Sequence, residues 1–271
     1  MFKYSAVTMV LGLAASGAVL VATAAGSDNV RTIKSKLLIT KDNSHFGAGI
    51  EGTGVDPNGA VYAVNFNNNK NSTGTIAPQQ AEFFTGKPAD SVTDAWYNGI
   101  RFTYDRESRA AVAYVVDVSN HHVVQVTGDA SGSRSLSKLC GDPKMLQPND
   151  LAIAYSNNRI FLSGMNYTAT SSVGDGDLWT CLPGDGGKAT LLGKFYRTNG
   201  IEVSPDEKTL YLSEAQNKDG TVISNVIWKF DLDAPSGSVS NKQLFVDFGK
   251  LDNTAATDVD GMRCDSRGNL Y

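Results

Sequence analysis

The chain has 271 residues, 41% of which are hydrophobic, and this is enough to build one large globular domain with its own core. Its 24 Lys and Arg residues against 28 Asp and Glu residues give a formal net charge of −4. No basic stripe runs along the sequence, so we expect no nucleic-acid partner.

The first 24 residues are typical of a secretory signal peptide. Lys3 provides a positive start, an apolar run extends from about Val7 to Val21, and Ala22-Thr23-Ala24 forms a small-x-small cleavage signal. An uncleaved membrane anchor is the alternative, but the apolar run is short for a span and no stop-transfer flank follows it. We therefore expect a secreted protein without a stable membrane anchor.

A short phrase recurs along the rest of the chain. It begins with a polar residue, which we call the head, and usually ends with an apolar residue. The heads from residue 98 onward are 51, 50 and 61 residues apart, and a weaker copy begins 47 residues earlier. In chain order the copies are Glu51-Gly52-Thr53-Gly54, Asn98-Gly99-Ile100, Asn149-Asp150-Leu151, Asn199-Gly200-Ile201 and Asp260-Gly261-Met262. Recurrence at this spacing indicates a solenoid or a propeller, and in a circular arrangement the oxygens of the heads would converge and could bind a cation.

Each head opens a similar series of strands and turns. In the first repeat, Asp56-Pro57-Asn58-Gly59 predicts a tight turn and Val61-Tyr62-Ala63-Val64 predicts the strand after it. Four short antiparallel strands in a unit of about 50 residues form the blade of a β-propeller. We therefore predict an all-β chain in which residues 32–271 form one propeller domain.

The number of heads predicts about five blades, and the sequence ends at Tyr271 within the second strand of the fifth. A closed propeller hides the edges of its sheets, so two readings remain. The favoured one is a fragment, incomplete at its C-terminus, in which residues 33–40 are the closing strand of an absent last blade. In the other, residues 32–40 complete a short blade.

The remaining covalent features agree with export. Among three cysteines, one disulfide and one free thiol is the simplest arrangement, and we predict the pair Cys140–Cys181, which flanks one repeat, with Cys264 left over. Asn71 and Asn166 each begin a glycosylation acceptor triplet.

Three phrases resemble the SMP-30/gluconolactonase/LRE-like family. They are Gln147-Pro148-Asn149-Asp150-Leu151-Ala152, Asn199-Gly200-Ile201-Glu202-Val203-Ser204-Pro205-Asp206 and Asp260-Gly261-Met262-Arg263-Cys264-Asp265. The resemblance covers roughly residues 46 to 271. It implies a six-bladed β-propeller with a divalent cation on its central axis, of which this sequence would span about five blades.

The resemblance also implies the metal ligands, which fall by motif on Glu51, Asn149, Asn199 and Asp260. At the first of these the family usually has Glu-Gly-Pro, whereas this chain has Thr53 in place of the proline. Two carboxylates and two amide oxygens suit Ca²⁺, Mg²⁺ or Mn²⁺ better than a thiolate-bound Zn²⁺, although Zn²⁺ stays open. Secretion favours Ca²⁺.

The activity implied by the resemblance is the opening of a lactone or a related ester by a monomeric enzyme. The cation would polarise the carbonyl, and Asp260 would act as general base or nucleophile, with a metal-activated water as an equally good account. Asn149 would also contact the substrate. Asn98 either lines the same pocket or caps a turn.

Other function classes remain as alternatives. The chain could be a non-catalytic or strictosidine-synthase-like propeller that binds a small molecule with a structural Ca²⁺. Serine hydrolase chemistry is disfavoured because neither Ser163 nor Ser213 lies in a Gly-x-Ser-x-Gly elbow. His121-His122 is interpreted as a hairpin loop, with a strand predicted from His122 to Val126, and Gly174-Asp175-Gly176-Asp177 is interpreted as a hairpin turn. Further acidic candidates are Asp150, which we expect beside the metal ligands, Glu202 and Glu214.

Overall fold

The computed structural model describes residues 46, 49–66, 72–77, 81–105, 107–108, 110–128, 132–251, 253 and 258–271, together with residues 6–7, 18–19, 21–22 and 33–34. The chain divides into two compact units. Unit one contains Met1–Leu38, Ser163–Leu178 and Leu192–Tyr271, and unit two contains Ile39–Leu162 and Trp179–Leu191.

Four two-residue strands lie in the N-terminal region. Strand β1 (Ala6–Val7) pairs with β3 (Val21–Ala22), and β2 (Ala18–Val19) pairs with β4 (Ile33–Lys34), both antiparallel. The other residues of the predicted signal peptide, 1–24, and of the predicted closing strand, 33–40, lie outside the described residues. Over the part of the chain that is described, no helix has the length and apolar character needed to cross a bilayer.

Four sheets of four strands account for most of the described chain. The first sheet contains β5 (Ile50–Val55), β6 (Val61–Asn65), β7 (Ser72–Ala77) and β8 (Ala81–Thr85), and the second contains β9 (Tyr97–Tyr104), β10 (Ala111–Asp117), β11 (His122–Gly128) and β12 (Arg134–Gly141). The third sheet contains β13 (Gln147–Ala154), β14 (Arg159–Met165), β15 (Gly176–Cys181) and β16 (Thr190–Phe195). The fourth sheet contains β17 (Arg197–Val203), β18 (Thr209–Lys218), β19 (Thr221–Asp233) and β20 (Ser238–Asp247). A one-turn helix, α1 (Phe248–Leu251), follows.

Within every sheet the strands are antiparallel and neighbours in space follow the order of the sequence. These sheets are the blades of a β-propeller, and the predicted fold class is confirmed. The fifth repeat is described over residues 258–271, where Cys264 bridges to Leu270 and the backbones of Arg263 and Tyr271 exchange two hydrogen bonds of 2.9 and 2.7 Å.

The turns form where the sequence places Asp and Gly. Asp56 Oδ1 accepts hydrogen bonds from the backbone N–H of Asn58 and Ala60, both at 2.9 Å, and Asp265 does the same 209 residues later for Arg267 and Asn269. In both turns the other carboxylate oxygen accepts a hydrogen bond from a tyrosine six residues on, Tyr62 at 3.2 Å and Tyr271 at 3.3 Å. Burial, together with the neighbouring carboxylate, raises the pKa of Tyr62 to about 12.

The core consists of apolar clusters between successive sheets. In unit two, Tyr62, Val64 and Phe84 of the first sheet pack with Ile100 and Val115 of the second. In the same unit, a second apolar cluster joins the second sheet to those residues of the third sheet that belong to unit two. In unit one, the fourth sheet packs against the fifth repeat through Tyr211, Ile227, Val246, Val259, Met262 and Leu270.

A disulfide joins Cys140 on β12 to Cys181 on β15, with 6.4 Å between their Cα atoms, and both residues belong to the second cluster of unit two. This is the pair that the sequence predicts. Cys264 is free and lies against the unit-one cluster. Burial, with the negative charge of Glu202 next, raises the pKa of the Cys264 thiol far above its usual value, so it is a poor nucleophile.

Candidate active site

Three heads lie in the first strand of their blade, next to an interruption of the strand pairing: Glu51 in β5, Asn98 in β9 and Asn199 in β17. In β5 the register with β6 shifts between Glu51 and Gly54, and in β17 the register with β18 shifts between Thr198 and Ile201. A β-bulge leaves a residue outside the ladder and re-aims its side chain. Asn199 lies within the interrupted stretch of β17 and is redirected by the bulge, whereas Glu51 stays paired with Val64 and the bulge in β5 follows it.

The glycine after a head is required by the backbone of the next head. In unit two, a Cβ atom on Gly52 would lie 2.1 Å from the carbonyl oxygen of Asn98, and one on Gly99 would lie 2.7 Å from Oδ1 of Asp150. In unit one, a Cβ atom on Gly200 would lie 2.1 Å from the carbonyl oxygen of Asp260. No side chain fits at these distances, so glycine allows successive heads to lie side by side.

The predicted site residues divide between the two units. Unit two contains the predicted ligands Glu51 and Asn149, on β5 and β13, and the predicted substrate-binding residue Asn98 on β9, whereas unit one contains the predicted ligands Asn199 and Asp260. Asn98 lies inside strand β9 with a relative exposure of 7%, so it does not cap a turn.

Asp150 is held by an arginine that the sequence did not indicate. The Arg101 guanidinium lies 2.9 Å from Oδ1 of Asp150 and donates to its Oδ2 at 3.0 Å, and both side chains are 6% exposed. Arg101 comes three residues after the head Asn98, whereas its partner lies 49 residues further along the chain. The pair neutralises the acidic residue beside Asn149 and fixes the second head to the third.

The strongest indication of a ligand site lies in unit one. A narrow cleft is lined by Asn199 and by seven further residues: Met165, Arg197, Ser213, Ala215, Asn225, Asp258 and Val259. Within the described residues, Asn199 Oδ1 and Asp258 Oδ1 are buried acceptors that have no hydrogen-bond partner, and Arg197 Nε is a buried donor in the same condition. Buried polar atoms are normally paired, and leaving one unpaired costs roughly 1–3 kcal/mol.

Arg197 and Asp258 form the second ion pair at the heads, at 2.8 Å between Nη2 and Oδ2. Each lies two residues before a predicted ligand, Asn199 or Asp260, but nothing in the spacing distinguishes them from the polar residues around them. Tyr167 covers the arginine, with its ring centroid 4.9 Å from the guanidinium carbon. Sequence reasoning missed both members of the pair.

The serines beside the cleft serve the backbone. The Ser163 hydroxyl donates to the carbonyl oxygen of Asn199, and the Ser213 hydroxyl donates to that of Val259 at 3.4 Å. These bonds hold the head Asn199 and the segment before Asp260 in place.

The adjacent histidines His121 and His122 occupy different environments. His121 lies in the predicted turn with a φ of 54°, whereas His122 begins strand β11 and is buried. The strand predicted to begin at His122 is confirmed, and the predicted turn ends at His121. The Nε2 atom of His122 lies 3.5 Å from Oδ2 of Asp117. Burial opposes the ionisation of Asp117, but the nearby imidazole and the hydrogen bonds from Asn120 and the Trp96 backbone keep the pKa of Asp117 below its usual value.

The other acidic candidates are bound locally. Glu214 accepts a hydrogen bond from the Tyr196 backbone at 2.8 Å and another from the Trp228 indole. Asp175 closes the turn around Gly174 by accepting from the Ser172 backbone at 2.7 Å, as predicted for a hairpin turn. Asn166 is exposed, which a glycosylation acceptor requires, while Asn71 lies outside the described residues.

The donor set at the heads fits a hard cation. Carboxylate and amide oxygens are the ligands that Ca²⁺ and Mg²⁺ prefer, and Asn199 Oδ1 is a buried oxygen without another partner. Over the described ranges, no group of three or more His, Cys, Asp and Glu side chains is placed to hold a metal ion. Amide oxygens, such as that of Asn199, do not enter that count.

The family assignment follows from a match over residues 102–271 to the family described as SMP-30/Gluconolactonase/LRE-like region. The match covers more than half of the chain, and the protein belongs to this family. The resemblance in the sequence began at about residue 46, and the first blade lies before the matched range. No curated protein matches the chain significantly.

Solved structures with the same fold support the architecture. A luciferin-regenerating enzyme is 20% identical with a TM-score of 0.58, over 82% of this chain and 67% of that one. A gluconolactonase from Xanthomonas campestris is 18% identical with a TM-score of 0.56, over 82% of this chain and 68% of that one. The hydrazine synthase of Kuenenia stuttgartiensis is 14% identical with a TM-score of 0.53, over 94% and 66%. At these identities the likeness concerns the fold.

The close approach of the heads predicts that alanine substitution destabilises the protein to different extents at two glycines with positive φ. Gly52 has a φ of +46° and would clash with Asn98, whereas Gly59 has a φ of +86° and open space around it. We expect Gly59→Ala to lower the free energy of unfolding by about 1–2 kcal/mol, the cost of the backbone conformation alone, and Gly52→Ala to lower it by about 3 kcal/mol or more. Urea denaturation in the presence of a chelator measures both; equal losses would contradict the close approach.

The buried ion pair of unit two predicts a similar contrast in stability, between the loss of a buried carboxylate and the loss of an exposed one. Asp150→Asn leaves the buried Arg101 guanidinium without its counter-charge, and we expect a loss of about 3–5 kcal/mol in the free energy of unfolding. The matched change Asp94→Asn removes an exposed partner of Lys87, and we expect about 0–1 kcal/mol. A loss at Asp150 no larger than that at Asp94 would show that the pair does not fix the heads.

Proposed function

We propose that this chain hydrolyses a lactone or a related carboxylic ester with the help of a divalent cation bound at the heads. Membership of the SMP-30/gluconolactonase/LRE-like family supports the reaction class. The observation that carries the cation is Asn199 Oδ1, a buried amide oxygen without a hydrogen-bond partner in the cleft of unit one. The substrate is a small molecule.

The residues proposed to hold the cation are Glu51, Asn149, Asn199 and Asp260, with Ca²⁺ as the favoured ion. When bound, a divalent cation supplies Lewis-acid polarisation of the substrate carbonyl and stabilises negative charge that develops on its oxygen. The chain's own contribution is to hold these oxygens in position. Gly52, through its contact with the Asn98 backbone, and Gly200, through its contact with the Asp260 backbone, do so in their respective units.

Asp260 is the residue proposed to handle the proton. In hydrolysis, a water oxygen forms a bond to the carbonyl carbon, a water proton passes to the carboxylate of Asp260, and the ring C–O bond breaks. The departing alcohol oxygen then takes up a proton, and a hydroxy acid is released. Asn98 and Asn149 are proposed to orient the substrate through their side-chain amides.

We also propose that the mature protein is secreted and that Asn166 carries a glycan. The signal-peptide pattern of residues 1–24, the disulfide between Cys140 and Cys181 and the exposure of Asn166 support this. Expression in a eukaryotic secretory host should give culture medium containing protein that loses mass on enzymatic deglycosylation. The mass loss should be smaller in Asn166→Gln, and an unchanged loss would remove Asn166 as a glycan site.

The catalytic proposal predicts loss of δ-lactone hydrolysis on chelation and recovery on addition of Ca²⁺. Asp260→Asn should lower kcat by a factor of about 100 or more, because the amide cannot accept the water proton. The matched variant Asp233→Asn changes an exposed carboxylate of the same unit and should keep the full rate. Activity that is indifferent to chelator would contradict the metal mechanism, and stabilisation by Ca²⁺ without turnover would favour a binding role.

A further inference from the structure

Among the described residues that line the cleft of unit one, two buried acceptor oxygens have no hydrogen-bond partner. They are Oδ1 of Asn199 and Oδ1 of Asp258, and the buried Nε donor of Arg197 also lacks a partner. An unpaired carboxylate oxygen is more costly to bury than an amide oxygen because it carries charge. A cleft lined by two such oxygens is suited to a positively charged ligand.

The small size of the cleft limits which positively charged ligands can bind in it. It leaves no space for a water molecule, so a hydrated ion or an organic cation does not fit. A bare divalent cation approaches oxygen to about 2.3–2.6 Å for Ca²⁺, closer than the 2.7–3.2 Å of a hydrogen bond. The cleft is therefore suited to a dehydrated metal ion that is held directly by protein oxygens.

Arg197 leaves half of the Asp258 carboxylate for such an ion. The guanidinium Nη2 pairs with Oδ2 at 2.8 Å and lies 4.0 Å from the sulfur of Met165, and the Tyr167 ring lies over the group. Arg197 is only 5% exposed and has no freedom to swing into water. It therefore fixes the orientation of Asp258 through one oxygen while Oδ1 stays without a partner.

We infer that Asp258 is a further ligand of the cation that Asn199 holds, and that Arg197 is its positioning residue. This inference rests on the proposed function. Asp258 lies two residues before Asp260, and the backbone between them passes the same cleft at Val259. The charge of Arg197 offsets that of Asp258, so the proposed ligand set gains an oxygen without gaining net negative charge.

Calorimetric titration of the chelator-stripped full chain with Ca²⁺ tests the role of Asp258. Asp258→Asn keeps the shape of the side chain, and we expect it to raise the Kd for Ca²⁺ ten- to hundredfold. The exposed control Asp233→Asn should leave the Kd unchanged. Thermal unfolding without Ca²⁺ establishes that each variant is folded, and Ca²⁺ should raise the Tm of Asp258→Asn less than that of the unaltered chain.

The role of Arg197 is tested by Arg197→Lys, which keeps the charge but replaces the planar fork with a single ammonium group. We expect weaker Ca²⁺ binding, whereas a merely structural role would lower the metal-free Tm and leave the Kd unchanged. A Kd for Asp258→Asn equal to that of the unaltered chain would overturn the inference and leave the proposed function standing. An unaltered chain that binds no divalent cation would overturn both.

Discussion

The candidate site depends on the absence of a side chain at the glycines that follow the heads. The backbones of consecutive heads approach so closely that a single Cβ atom on Gly52 or Gly200 would overlap a carbonyl oxygen of the next head. Glycine is the one residue that permits this approach, and both glycines lie within an interruption of the strand pairing. The phrase is thus one structural device: the strand pairing is interrupted, the glycine admits the neighbouring backbone, and the apolar residue, as in Ile100 or Ile201, is fully buried.

Near the heads, two aspartates form ion pairs with arginines that belong to the preceding repeat. Arg101 holds Asp150 in unit two, and Arg197 holds Asp258 in unit one. Both arginines are buried, as is Asp150, whereas the Asp258 side chain is 29% exposed. A buried ion pair stabilises little relative to apolar packing but is costly to break. We regard both pairs as devices that hold carboxylates in defined positions next to the heads. Where one carboxylate oxygen stays unpaired, as in Asp258, the pair also prepares a negatively charged ligand for a cation.

The local structure could be predicted in detail from the sequence. The Asp-led turns at Asp56 and Asp265 form as expected, and the strand after each turn carries the tyrosine that hydrogen-bonds back to the aspartate. These features are local because the partners lie two to six residues apart. The burial of His122 has the opposite origin: its neighbour Asp117 lies on the adjacent strand, and polarity along the sequence gives no sign of that partner.

The sequence by itself determined the period, the heads, the turns and the family, because each is written in residues of one repeat or in residues repeated at one spacing. Only the tertiary structure decided which charges are paired and which oxygens are left over. Arg101 meets Asp150 across 49 residues and Arg197 meets Asp258 across 61, and no local pattern marks either arginine. The same holds for Asn199 Oδ1: its identity as an asparagine is plain in the sequence, but its burial without a hydrogen-bond partner depends on what packs around it.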